Sequence, residues 1–193
     1  SIGEINYILT FLRGINHITM EGQNMKIEMG ESLIYSWLRH EKLCQLVQTN
    51  WKVSPFWELE NRQEIEDLFV ICRNYFLEKH SLDISKGCSL EQFLKQAEID
   101  GIGIAYSTEA PYIYAVDVAY HEGGLNYGGK DETITKIAQK CIRTALCLYG
   151  YFCMSTGEVL FVSPKITPAI ETALVPLFDE ISKLLHDNGL NIK

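Results

Sequence analysis

No run of apolar residues in this chain approaches the roughly 20 positions that a membrane-spanning helix requires. The first residues, Ser1-Ile2-Gly3-Glu4, lack a basic stretch followed by an apolar one, so neither membrane insertion nor secretion is expected and a cytoplasmic setting is. The six cysteines form no CxxC pair and join no histidine at zinc spacing, which argues against a disulfide framework or a zinc site. Cys72, Cys141 and Cys147 sit inside apolar patterns and are expected as reduced, buried thiols. There is no P-loop, no GxSxG and no HExxH, and no repeat or low-complexity tract. Basic residues are scarce: 17 Lys and Arg stand against 25 Asp and Glu, and the net charge of −8 excludes broad electrostatic adhesion to nucleic acid.

What is present is a chain of 193 residues, 47% apolar and 22% charged, enough for one ordinary core and hence one domain over 1–193. Helical spacing predicts a first helix over about 3–16, from Ile5, Ile8, Leu9 and Leu12. The segment 18–27 is ambiguous. A second helix is expected from Glu31 to about Val47 and a third from Asn61 to Glu78, with Ser89-Leu90-Glu91-Gln92 resembling a capped helix start. The first half, 1–96, thus reads as helical. The second half, 97–193, reads differently. Residues from Glu98 to about Ile104 and from Tyr112 to Tyr120 predict a hairpin. A glycine-rich loop follows, then a helix from Asp131 or Thr133 ending at Gly150, a buried strand from Gly157 to Ser163, and a last helix from Thr167 or Pro168 to about His186.

Two residues break this pattern. Asp100 and Asp117 interrupt strands that are otherwise apolar, and an ionised carboxylate there needs a hydrogen bond, a counter-charge or a bound cation. Two from neighbouring strands can converge on one hard metal ion. Strand alternation places Asp117, Ala119 and His121 on one face, and Val116, Val118 and Tyr120 on the other. The loop Gly123-Gly124-Leu125-Asn126-Tyr127-Gly128-Gly129 reads as a connection rather than a phosphate cradle, and Trp37, Trp51, Phe56, Trp57 and Tyr75 read as core before they read as a base-stacking surface.

Glu98-Ile99-Asp100-Gly101-Ile102 followed by Tyr114-Ala115-Val116-Asp117-Val118-Ala119 resembles the paired-strand signature of the PD-(D/E)xK, or restriction-endonuclease-like, nucleases. Gly30-Glu31-Ser32-Leu33 with Asn50-Trp51-Lys52 is similar to the helical lead-in of their small Holliday-junction-resolvase-like branch. The resemblance spans about 30–51 and 98–186, with 61–96 an insertion. It implies an α/β fold with a restriction-endonuclease-like core, a central mixed sheet flanked by helices, and extra helices at the N-terminal side. It also implies Mg²⁺ or Mn²⁺ held by Glu31, Asp100 and Asp117, DNA as the partner, hydrolysis of phosphodiester bonds, and an architecture compatible with a homodimer.

The sequence departs from the motif at one position: where the family has lysine, this chain has Ala119. A displaced cation could come from Lys130, Lys136 or Lys140, the last two four apart on one helical face, with Lys136 the expected substitute, or His121 could act as ligand or base instead. Two other readings stay open: a nuclease-like module without catalysis, and a small-molecule-binding α/β protein in which the two carboxylates point apart.

Overall fold

The computed structural model describes residues 23–106, 110–120 and 124–193. The helix expected over 3–16 and the residue His121 lie outside them. The elements are α1 (Gln23–His40), β1 (Leu46–Lys52), α2 (Arg62–His80), α3 (Leu90–Lys95), β2 (Glu98–Tyr106), β3 (Pro111–Val118), α4 (Lys130–Phe152), β4 (Thr156–Val162), α5 (Pro168–Asp187) and β5 (Asn191–Ile192). The strands form one mixed sheet in the order β1-β2-β3-β4-β5. β1, β2 and β3 pair antiparallel, while β4 joins β3, and β5 joins β4, in parallel. Parallel neighbours need a crossover, which α4 and α5 supply.

The apolar content divides over the two faces. The larger cluster joins α2, α3, α4 and α5 to one face through Phe76, Phe93, Ile137, Leu146 and Leu177. The smaller one, with Ile34, Leu38, Val116 and Leu160, places α1 on the other. α1 lies close because β2 offers no side chain where it crosses. A Cβ on Gly101 would come within 2.7 Å of Ile34 Cγ2, and one on Gly103 within 2.7 Å of Cys44 Sγ. Trp51 is buried among Trp57, Tyr151 and Phe152, whereas Phe56 is 91% exposed.

Three expectations need correction. The second helix ends at His40 rather than Val47: the N–H groups of Glu41 and Lys42 close onto Trp37 O, and Cys44 N–H onto Leu38 O. Leu43, Leu46 and Val47 mimic helical spacing, but pairing with β2 draws Leu46–Lys52 into the sheet, so the first half is not wholly helical. Gly150 does not end α4, which runs to Phe152 and closes with Cys153 in the left-handed region (φ 54°). Gly150 instead admits Leu59, whose Cδ1 would lie 2.3 Å from a Cβ there. The capping box at Ser89 and Gln92 forms as expected, and all six cysteines are free thiols.

Candidate active site

Asp100 and Asp117 face each other at the point where β2 and β3 part. The last ladder pair before them is Gly101 with Val116. Beyond it the Asp100 carboxylate replaces the ladder, its Oδ2 accepting the N–H of Val118 at 2.6 Å. The alternation expected for β3 holds among the described residues. Val116 and Val118 pack toward α1, and Asp117 and Ala119 turn toward α4.

Asp117 is almost wholly buried, at 2% exposure. Its two oxygens are taken by α4: Lys140 Nζ donates to Oδ1 at 2.9 Å, and the buried Thr144 Oγ1 donates to Oδ2 at 3.3 Å. Lys140 and Thr144 are four apart, so one helical face delivers both. Burial opposes the charge of the Lys140 ammonium, but the charge and hydrogen bond of Asp117 outweigh it and hold the group above its usual range.

Among the described residues no cation lies at bonding distance of Asp100. Burial pushes its carboxyl up to about 6, and the nearby charge of Asp117 adds to this, against the opposing Val118 N–H and the more distant Lys140. Two carboxylates and one ammonium therefore share a poorly solvated space. Tyr127, half-buried in the glycine loop, senses the same group of charges: burial raises its phenol, Lys140 lowers it, and Asp117 and Asp100 raise it further.

The remaining expected residues are placed as follows. Lys136 does not reach Asp117; its Nζ lies over the ring of Tyr127, 4.6 Å from the centroid. Glu31 stands at the same end of the sheet, where its Oε2 accepts from Asn50 Nδ2 at 3.1 Å. Asn50 lies in β1 between the pairs Thr49–Gly101 and Trp51–Ile99, hence beside Asp100. Among the described residues no three His, Cys, Asp or Glu side chains are grouped to hold a metal ion. The glycine loop offers little to a phosphate. Asn126 Oδ1 accepts the N–H groups of Gly128 and Gly129, Thr133 Oγ1 that of Tyr127, and Lys165 O that of Leu125.

Sequence reasoning gave no site role to Thr144, Asn50 or Tyr127. Thr144 was legible only as the residue one turn beyond Lys140, while Asn50 stood in the lead-in that carries the resemblance and is a residue type that tolerates its left-handed backbone (φ 53°).

No protein-family model, curated protein or solved structure matches this chain. Among the described residues no helix is long and apolar enough to cross a membrane.

Proposed function

We propose that this chain is a metal-dependent nuclease of the restriction-endonuclease-like type, hydrolysing phosphodiester bonds of DNA in the cytoplasm. The observation that carries the reading is the position of Lys140, whose Nζ lies 2.9 Å from Asp117. The motif resemblance calls for a cation beside paired strand carboxylates, the motif position holds the buried Ala119, and α4 supplies that cation from 23 residues downstream. The mixed sheet supports the same reading. The hairpin β2-β3, the crossover helix α4 and a parallel β4 agree with the core that the resemblance implies, while α2 and α3 fill the insertion. The two carboxylates converge, which disfavours a small-molecule-binding protein with incidental strand acids.

The donor set fits a hard divalent cation. Mg²⁺ is commonly held by one or two carboxylates together with water and substrate phosphate, so Asp100 and Asp117 suffice without a third protein ligand. Asp100 is a half-buried carboxylate whose charge is under-compensated among the described residues, and a bound cation would relieve it. When bound, Mg²⁺ or Mn²⁺ supplies Lewis acidity toward the phosphoryl oxygen and lowers the pKa of water.

The chain's own residues do the rest. Asp100 and Asp117 would hold the ion, and Thr144 fixes the orientation of the Asp117 carboxylate. Lys140, shared with Asp117, places a positive charge where the phosphate gains negative charge during attack, and a water-poor site strengthens that interaction. Glu31 and Asn50 bond to each other at the same end of the sheet.

The reading is tested by titrating Mg²⁺ and Mn²⁺ calorimetrically into the native chain, Asp117→Asn and Lys140→Gln, alongside plasmid nicking. Metal binding that Asp117→Asn abolishes, with nicking lost in both variants, supports the nuclease. A native chain that neither binds metal nor nicks DNA leaves the non-catalytic module.

A further inference from the structure

We propose that Lys136, seated on Tyr127, is the contact for the DNA phosphate next to the scissile one on the same strand. This rests on the nuclease reading and deepens it, because it gives the substrate's backbone a direction along α4.

Lys136 precedes Lys140 by four residues, so the two side chains leave the same helical face from positions about 6 Å apart along the axis. That interval is of the order of the spacing between neighbouring phosphates on one nucleic-acid strand. The two lysines are committed differently. Lys140 is tied to Asp117, whereas Lys136 takes part in no salt bridge among the described residues. Its partner is the face of Tyr127, at 4.6 Å, which directs the ammonium without neutralising it.

Tyr127 is itself fixed. Its N–H donates to Thr133 Oγ1 at 2.9 Å, and the fully buried Thr133 hydroxyl donates to Gly129 O at 2.6 Å. A free lysine loses rotamer freedom when it binds. One already held over a fixed ring loses less, so part of the ordering precedes DNA binding. The same arrangement gives the glycine loop a role. With its N–H groups satisfied internally, the loop positions the aromatic ring and not the phosphate. In a chain of net charge −8, a local and uncommitted cation is what a polyanion needs near two buried carboxylates.

The experiment measures binding of a fluorescently labelled DNA duplex by anisotropy in Ca²⁺ across a salt series, with cleavage in Mg²⁺ under single-turnover conditions at saturating enzyme. For Lys136→Gln the expected result is about tenfold weaker binding and a log K against log [salt] slope shallower by about 0.9. Tyr127→Phe, which keeps the ring, is expected to bind as the native chain does. Tyr127→Leu is expected to lose affinity as Lys136→Gln does, which separates positioning of the lysine from any role of the hydroxyl.

If native protein cleaves DNA and Lys136→Gln keeps both affinity and salt slope, the inference is overturned and the nuclease reading stands. A Lys136→Gln rate collapse with affinity unchanged also overturns it, since the lysine would then act at the reacting phosphate. DNA binding with the predicted slope change but no cleavage leaves Lys136 a phosphate contact and overturns its place beside a scissile phosphate, together with the nuclease reading. A native chain that neither binds nor cleaves removes both.

Discussion

Lys140 and Asp117 meet at 2.9 Å from opposite sides of the protein's main core, one on the crossover helix and one on the central strand. Asp117 is nearly sealed from water, and 26% of the Lys140 side chain remains exposed. Such a pair is costly to bury and costlier to break than to replace.

Lys140→Met is therefore expected to destabilise the fold by about 3 kcal/mol, because it strands a buried carboxylate. The double variant Asp117→Leu with Lys140→Met is expected to recover most of that loss, since no charge is left uncompensated. Urea unfolding of the two single variants and the double variant measures the coupling. Additive losses would show that the pair does not interact as the geometry requires.

Asp100→Asn is expected to raise stability above pH 6. The folded carboxyl titrates near 6 and its unfolded counterpart near 3.8, so between those values the folded state holds the extra proton and native stability falls as pH rises. Asparagine does not titrate, and its side-chain oxygen can still accept from Val118 N–H. The gain should be about 1–2 kcal/mol at pH 8 after allowance for partial solvent screening, and it should vanish by pH 4. Thermal melts across pH check the sign. Loss of nicking in the same variant would mark a site where stability is given up for function.

Mg²⁺ is expected to raise the melting temperature of the native chain and to leave Asp100→Asn nearly unmoved. A ligand that binds only the folded state stabilises it by mass action, about 2.7 kcal/mol at a hundredfold excess over Kd. Equal shifts in both proteins would place the ion elsewhere.

Glu180 ties α5 to α2, accepting from Lys79 Nζ at 2.9 Å and from Tyr75 OH at 3.2 Å, with His80 Nε2 at 2.6 Å. Burial opposes its charge, but these partners hold its carboxyl below the usual range, so its contribution is present near neutral pH and is lost as pH falls through the folded value. Glu180→Gln is expected to cost about 1 kcal/mol at pH 7, and progressively less in acid. Denaturant midpoints at the two pH values measure it.

Gly103→Ala is expected to destabilise by about 1–3 kcal/mol, because the new methyl would meet Cys44 Sγ at 2.7 Å and Leu38 Cδ2 at 2.9 Å. The check is chemical denaturation, with an unchanged midpoint showing that α1 can move away.

The sequence by itself determined the elements whose periodicity is long and uninterrupted: α2, α4, α5, the hairpin β2-β3 and the buried β4. It also marked Asp100 and Asp117, because a carboxylate inside an apolar strand is locally anomalous whatever the rest of the chain does. Tertiary structure decided what local pattern leaves degenerate. Leu43, Leu46 and Val47 suit a helix or a strand, and only the vacant edge of β2 turns the segment into β1. Lys136 and Lys140 are equivalent on a helical wheel, and only the angle at which α4 crosses the sheet sends one to Asp117 and the other to Tyr127. Periodicity identifies a face, whereas the distance between two faces depends on packing between segments far apart in the chain.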